Sequence, residues 1–533
     1  MATPELARRA VAAVVTATAA IAMTVGTAGV AGAAPRQADG LSPDILAIMN
    51  KPAYEHAQWG LLEIDDTTGE IIHSQYPNQF FIPGSTAKLV SVSSTWHTLG
   101  GDHRFTTPVQ AVGNRSGSVL DGSLVVVAQG DLTMGGRTKP DGSVDFTPID
   151  HTYANDLPGA TLTPENPLAG LNEMAQQVRA SGLTEVHGDV AIDSRLFTSF
   201  PGLDPTPTPL IINDNLIDLL TTATTPGQPA QLSWRPQVAP YQVESTVQTV
   251  AAGGPTDIAV TASPDGTHIS LSGTIAADAQ PTLRVSPVQD PDAFGRTALI
   301  EALARAGVTV TAPPTGPNPS GLVPDSYDGT ERVAAYVSPV YAQYARLILK
   351  VSHNLGANLG ICLMAVAAGS HQCEDGFAGI RNFLTQAGID PTKVQLLDGR
   401  GGNPVDRVTP DVENEILHYW QGTPEATRFR EALPILGVDG SLAFACAGCP
   451  TCPGKGKVWA KPGSVVGLDA VNQRLAVGAE TLGGYLDAGH GRLHTFYLAV
   501  NGASTQDITT FFDVVNDLNR IAGLLQEQAE ARP

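Results

Sequence analysis

The chain has 533 residues, 42% of them hydrophobic and only 16% charged. This excludes a disordered polar chain and fits roughly three globular domains with sizeable cores. With 52 Asp+Glu against 31 Lys+Arg the net charge is −21, which excludes a general nucleic-acid binder, because phosphate recognition needs a basic footprint.

The first residues read as a targeting segment. Arg8 and Arg9 form a positive end, an apolar run follows from Ala10, and Ala31-Gly32-Ala33 offers a small-residue cleavage site. Residues 1–33 are therefore expected to be a signal peptide of an exported protein, in the periplasmic or cell-wall space or secreted. The alternative is an uncleaved anchor, since the run is long enough to span a bilayer. No other stretch is apolar enough, so the mature chain is expected to have no transmembrane span.

Residues 40–58 suggest a short helix and a loop. Residues 59–64 and 70–74 read as two strands joined by the turn Asp65-Asp66-Thr67-Thr68-Gly69. This hairpin feeds the stretch Phe81-Ile82-Pro83-Gly84-Ser85-Thr86-Ala87-Lys88-Leu89, where Pro83-Gly84 turns the chain into a helix from Ser85 to about Leu99. Ser85 and Lys88, three apart, share one helical face. A hydroxyl is a weak nucleophile unless a base takes its proton, and a Lys serves once burial or a second cation lowers its pKa. Alone, Ser-x-x-Lys also describes an N-cap serine followed by a surface lysine, so the chemistry depends on partners further along.

From 102 to 338 strand-like pieces dominate, at 118–120, 123–127, 186–192, 258–261 and 268–272, with helices over 168–180 and 293–306. This block reads as an insertion of two β-rich domains into a domain covering 40–101 and 339–528. Helices follow over 341–351, 359–368 and 377–387. Strands are expected at 457–467, 482–487 and 494–500, and a final amphipathic helix over 506–527 should pack on the sheet. Among the five cysteines, Cys362 and Cys373 are spaced to staple a helix end to the next loop. Two of Cys446, Cys449 and Cys452 are expected to pair with each other. The last three have the spacing of half a zinc ribbon but lack a second pair or a matching His nearby, so neither a metal nor a cofactor is expected.

Three motifs stand in order: Ser85-x-x-Lys88, Ser352-x-Asn354 and Lys461-Pro462-Gly463. Ser-x-x-Lys, Ser-Asp-Asn and Lys-Thr-Gly form the motif set of penicillin-binding proteins and class A β-lactamases. From about residue 45 to 525 the chain resembles the class C low-molecular-mass penicillin-binding proteins, which are exported D-alanyl-D-alanine carboxypeptidases and endopeptidases of the cell wall. The 264-residue interval between Lys88 and Ser352 suits that family, where extra domains are inserted there. Further similar stretches include Arg104-Phe105-Thr106-Thr107, Asp398-Gly399, Arg407-Val408-Thr409-Pro410 and Gly437-Val438-Asp439-Gly440-Ser441.

The resemblance implies an α/β (α+β) fold: a penicillin-binding/serine β-lactamase-like catalytic domain with helices on both sides of an antiparallel sheet, plus the inserted domains. It also implies roles. Ser85 attacks the carbonyl of the penultimate D-alanine and Lys88 takes its proton. Ser352 and Asn354 relay the proton and orient the substrate amide. Lys461 supplies positive potential, and the N–H groups of Ser85 and Ser464 form an oxyanion hole. Gly463 and Ser464 bind substrate, and Asp193, in the insertion, is a candidate contact to the stem peptide; a turn-forming role suits it as well. The implied partners are peptidoglycan peptides ending in D-Ala-D-Ala, and β-lactams that acylate Ser85.

The chain departs from the family pattern at His353 (usually Asp), Asn358 (often Glu), Pro462 (usually Thr), Arg400-Gly401-Gly402-Asn403 and Ala128-Gln129-Gly130-Asp131-Leu132. None of these changes removes the Ser, Lys or Asn side chains of the three motifs. Two other readings compete. A serine esterase, amidase or β-lactamase would need fast deacylation, for which no extra general base is legible. A catalytically weak wall-binding homologue would not require an intact Ser85/Lys88 pair. Carboxypeptidase and endopeptidase stay open, because both cut after a D-alanine by the same chemistry.

Overall fold

The computed structural model describes residues 40–447 and 451–532. The expected signal peptide and Cys449 lie outside the described residues. Two compact units divide the chain, one comprising residues up to Val90 and from Leu384 onward, the other Ser91–Phe383. The insertion expected over 102–338 falls inside the second.

In the first unit, five strands form an antiparallel sheet in the order Val458–Asp469, Arg474–Asp487, Leu493–Ser504, Gln58–Asp65, Ile71–Gln75. The chain therefore closes its sheet with strands from both ends. The helix Ile508–Glu530 lays Phe511, Val514, Leu518, Ile521 and Leu525 against a core that includes Leu61, Leu482 and Leu498, the stripe its helical spacing predicts. It begins two residues later than expected, because the Asp507 carboxylate accepts Thr510 N–H at 2.9 Å and caps it there. The strand expected only from Leu482 starts at Arg474. A register shift between Val465 and Val466 interrupts the alternation that would have revealed its first half. On this unit's helix Pro410–Gln421, Asn414 Nδ2 donates to Leu62 O, and Leu417 O accepts from Tyr485 OH.

In the second unit a six-stranded sheet includes Thr106–Ser116, Val119–Val127 and Glu331–Val337. The helices Ala169–Ala180 and Pro291–Arg305 share its core. Smaller sheets of three and four strands complete the β-rich character expected here. The strand expected over 186–192 is two short ones, Glu185–Val186 and Val190–Asp193. At Gly188 between them, any Cβ would run into Gly122 O. Cys362–Cys373 forms a disulfide in this unit and Cys446–Cys452 one in the first. Among the described residues no helix is long and apolar enough to cross a membrane. The whole is a mixed α/β fold: the five-stranded sheet is antiparallel, and the six- and four-stranded sheets combine antiparallel with parallel pairs.

Candidate active site

The stretch around Ser85 is fixed by its backbone. Ile82 N donates to Asn501 Oδ1 at 2.8 Å, and Pro83 O accepts from Thr86 Oγ1 at 2.8 Å and Thr481 Oγ1 at 2.6 Å. Gly84 has φ +52°, a left-handed conformation that disfavours a side chain. A Cβ there would also lie 2.9 Å from Ser464 N. Ser85 follows in the 3₁₀ turn Gly84–Thr86, and the α-helix proper is Ala87–Leu99. The tight first turn puts the helix start two residues after Ser85.

Lys88 Nζ and Ser85 Oγ lie 2.9 Å apart, and Nζ also donates to Arg400 O at 3.2 Å. Lys88 is fully buried. Burial, then the charges of Lys461 and Arg400, push its pKa well below the ordinary lysine range, against the opposing pull of Asp398. Both effects favour the neutral amine, the form that can take up a proton. The Arg400 carbonyl is held by its own loop: Asp398 Oδ1 accepts from Arg400 N at 3.0 Å and Gly401 N at 2.6 Å. Behind it, burial and the Asp398 charge raise Asp406 to about 7. Arg400, in a run that departs from the family pattern, thus reaches the lysine through its backbone oxygen.

The third motif lies on the edge strand Val458–Asp469. Gly463 sits where a Cβ would be 2.5 Å from Pro83 O and Thr481 Oγ1 and 2.6 Å from Ser85 N, so only glycine lets the strand approach Ser85 this closely. Lys461 is fully buried, and burial lowers its pKa to about 7 against the pull of Glu480. Its Nζ donates to Pro462 O at 2.6 Å. Pro462 carries no N–H, which an edge position tolerates. Ser464 Oγ donates to Glu480 Oε2 at 2.6 Å. Glu480 was not singled out from sequence. Its one visible signal is a lone acid in the small and apolar run Val477-Gly478-Ala479-Glu480-Thr481-Leu482.

The second motif lies in the second unit. Ser352, at φ +61°, turns the chain between the helices Tyr341–Lys350 and Asn354–Ala367. Its carbonyl accepts from Tyr153 OH at 2.5 Å. His353 caps the second helix, its Nδ1 accepting Gly356 N–H at 3.0 Å, which leaves Nε2–H to donate to Asp214 Oδ1 at 3.0 Å. The Asp expected at this position would have lacked that donor. Asn354 opens the helix, and Asn358 Nδ2 donates to Pro205 O at 3.0 Å. Asp214 is the centre of a buried cluster. Arg137 donates to Asp150 at 2.5 Å and to Asp214 at 2.7 Å, and His151 contacts Asp214 at 2.7 Å and Asp218 at 2.6 Å. Asp150, Asp214 and His353 converge as metal ligands do, but the Arg137 guanidinium already bridges the two carboxylates.

Ser85, Lys88, Lys461, Gly463 and Ser464 thus belong to one unit, and Ser352, Asn354 and Asp193 to the other. The Asp193 carboxylate accepts Arg195 Nε and Nη2, each at 2.8 Å, and Tyr327 OH at 2.6 Å. It is engaged by Arg195 of its own turn and by Tyr327 from a distant segment.

Residues 41–520 match the family described as D-Ala-D-Ala carboxypeptidase 3 (S13). The chain is similar to the D-alanyl-D-alanine carboxypeptidase of Actinomadura sp., 27% identical over 507 residues that span 89% of this chain and 84% of that one. It is 21% identical over 475 residues to the D-alanyl-D-alanine carboxypeptidase DacB of Haemophilus influenzae, covering 85% and 87%. Among solved structures it shares the fold of penicillin-binding protein 4 of Haemophilus influenzae, with a TM-score of 0.67 at 20% identity, over 91% of this chain and all of that one.

Proposed function

The chain belongs to the D-Ala-D-Ala carboxypeptidase 3 (S13) family and is a serine-type carboxypeptidase, and on that premise we propose an acyl-enzyme mechanism on Ser85. Ser85 Oγ attacks the carbonyl of the penultimate D-alanine of a cell-wall stem peptide, and neutral Lys88 accepts its proton. The oxyanion is stabilised by the N–H groups of Ser85 and Ser464. The C–N bond breaks and the departing D-alanine amine takes up a proton, for which Ser352 keeps the relay role that the resemblance implies. Asn354 keeps the role of orienting the substrate amide. Water then hydrolyses the ester and restores Ser85. Lys461 supplies positive potential and disfavours the charged form of Lys88.

The observation that carries this reading is a fully buried lysine amine 2.9 Å from a serine hydroxyl, with its pKa held well below the ordinary range. The same site cleaves either a terminal D-alanine or a D-alanyl cross-link, and β-lactams acylate Ser85. Two disulfides support export to an oxidising compartment.

Intact-protein mass spectrometry after incubation with benzylpenicillin tests the nucleophile. A persistent one-to-one adduct is expected on the wild type and not on Ser85→Ala. If neither protein carries an adduct, loss of penicillin from the wild-type tube indicates a β-lactamase, and its survival refutes the assignment of Ser85.

A further inference from the structure

Ser464 and Glu480 are direct cross-strand partners on one face of the sheet. Ser464 is exposed at the edge, while Glu480 is buried at 2% exposure. A serine hydroxyl has one proton. When Glu480 is a carboxylate, that proton points inward along the 2.6 Å bond and Ser464 turns only lone pairs outward. When Glu480 is protonated, its own O–H can donate to Ser464 Oγ, and the serine proton is free to point out of the strand. A carboxylate arriving at the edge is repelled in the first arrangement and bound in the second.

Resting on the carboxypeptidase reading above, we propose that Glu480 is a specificity-determining residue: by setting which way the Ser464 proton points, it decides whether the site accepts a free carboxylate beside the scissile amide. A D-Ala-D-Ala terminus carries that carboxylate on its leaving group; an ester of D-alanine with a simple alcohol does not.

The surroundings of Glu480 favour its protonated form near neutrality. Burial raises it to about 8, against the opposing effects of the Ser464 hydrogen bond and the Lys461 charge. Ser464 faces it from the edge strand, Lys461 acts on it electrostatically from the same strand, and Val500, its opposite number on the other neighbouring strand, is apolar. Tyr54 lies within electrostatic range from the segment Pro52–Tyr54. The Tyr54 hydroxyl is committed to Asp517 of the C-terminal helix, which pairs with Lys51. Among the described residues, the charge that works against protonation is that of Lys461.

The test compares an N-acyl peptide ending in D-Ala-D-Ala with the matching D-alanine methyl ester, on the wild type and Glu480→Gln, from about pH 6 to about pH 9. Gln keeps the shape, does not titrate and carries an NH2 that can donate to Ser464 at every pH. Wild-type KM for the peptide is expected to rise above about pH 8, towards tenfold per pH unit, while kcat and the ester KM stay level. In Glu480→Gln the component of the rise that sets in above about pH 8 should be absent, leaving only what the loss of the Lys461 charge from about 7 contributes to both proteins. The same rise in Glu480→Gln, or a parallel rise for the ester, overturns the proposal and leaves the carboxypeptidase reading standing. No D-alanine release by the wild type at any pH overturns that reading itself. Should Glu480→Gln fail to fold, Ser464→Ala decides the matter: without the hydroxyl its peptide KM should be high and lack the same component, and a retained rise above about pH 8 overturns the proposal.

Discussion

Two buried charge clusters, one in each unit, use similar residues to opposite ends. Around Ser85 the basic side chains Lys88, Lys461 and Arg400 stand together, and burial shifts Lys88, Lys461 and Glu480 towards their neutral forms. Lys88 is held well below its ordinary range, Lys461 falls to about 7 and Glu480 rises to about 8. Around Asp214 every charge has a partner. Burial raises Asp150 and Asp214, but Arg137 and the neighbouring histidines outweigh it and hold both below the carboxylate range. Burial likewise opposes a charge on His151, yet Asp218, Asp150 and Asp214 hold it up at about 10. Burial alone therefore does not decide what a charged side chain becomes. Matched partners keep it ionised and make a framework, whereas burial beside like charges favours a neutral amine that can act as a base.

The largest effect should come from unbalancing the matched cluster. Asp214→Asn keeps the side-chain shape, and Asn tolerates the φ of +56° found there, but it leaves Arg137, His151 and His353 short of an anion. A loss of about 3–5 kcal/mol in unfolding free energy is expected, measured by urea denaturation. Because the folded-state pKa of Asp214 is depressed, its contribution is present above the unfolded value of about 4. It is lost as pH falls through the folded value, so wild type and variant should converge in acid. A loss below about 1 kcal/mol at neutral pH would show that the cluster is not acting as a matched set.

Removing one of the like charges around Ser85 should have the reverse sign for stability and a cost in chemistry. In Lys461→Gln the neighbour that disfavours a charged Lys88 is gone, so the Lys88 pKa rises. The acid limb of kcat/KM, which reports the free-enzyme base, should move to higher pH. Stability should not fall. The folded pKa of Lys461, about 7, lies below the unfolded value of about 10.4. Its burial cost is therefore full below about 7 and fades as pH rises to about 10.4. The thermal advantage of the variant should shrink across that window. An acid limb that stays in place would mean that Lys461 does not tune the base.

How far each cluster was legible follows from chain distance. Ser85 and Lys88 are three apart, so their meeting is a local property of a helix start. Lys461, Gly463 and Ser464 could be placed on a strand by pattern. Glu480 could not be paired with Ser464, because the register passes a hairpin and a bulge that the alternation does not reveal. The Asp214 cluster draws on residues 137, 150, 151, 214, 218 and 353, whose association is purely tertiary. His353 was visible only as a departure from an expected Asp; its meaning as a donor to Asp214 required the fold. At Arg400 the departure lay in the side chain, while the backbone oxygen carries the contact to Lys88, and backbone positions leave no trace in residue type.

The smallest effect is expected at Pro462, and it separates the two regions most finely. Inside the Asp214 cluster, a new polar group would be buried and would need a partner. At Pro462 the strand is an edge, half-exposed and opposite Leu482, and residues 462 and 464 project on the same face. Pro462→Thr restores an N–H on the open edge and places a second hydroxyl beside Ser464, both within reach of water. Stability should change by less than about 0.5 kcal/mol, because nothing is left unsatisfied. A second donor beside Ser464 should lower KM for a D-Ala-D-Ala peptide by a few-fold, the worth of one hydrogen bond of about 0.5–1.5 kcal/mol, without a matching change for the D-alanine methyl ester. An equal gain on both substrates would place the new hydroxyl on the acyl side of the scissile bond. No gain on either would leave Ser464, under the control of Glu480, as the edge group that reads the carboxylate.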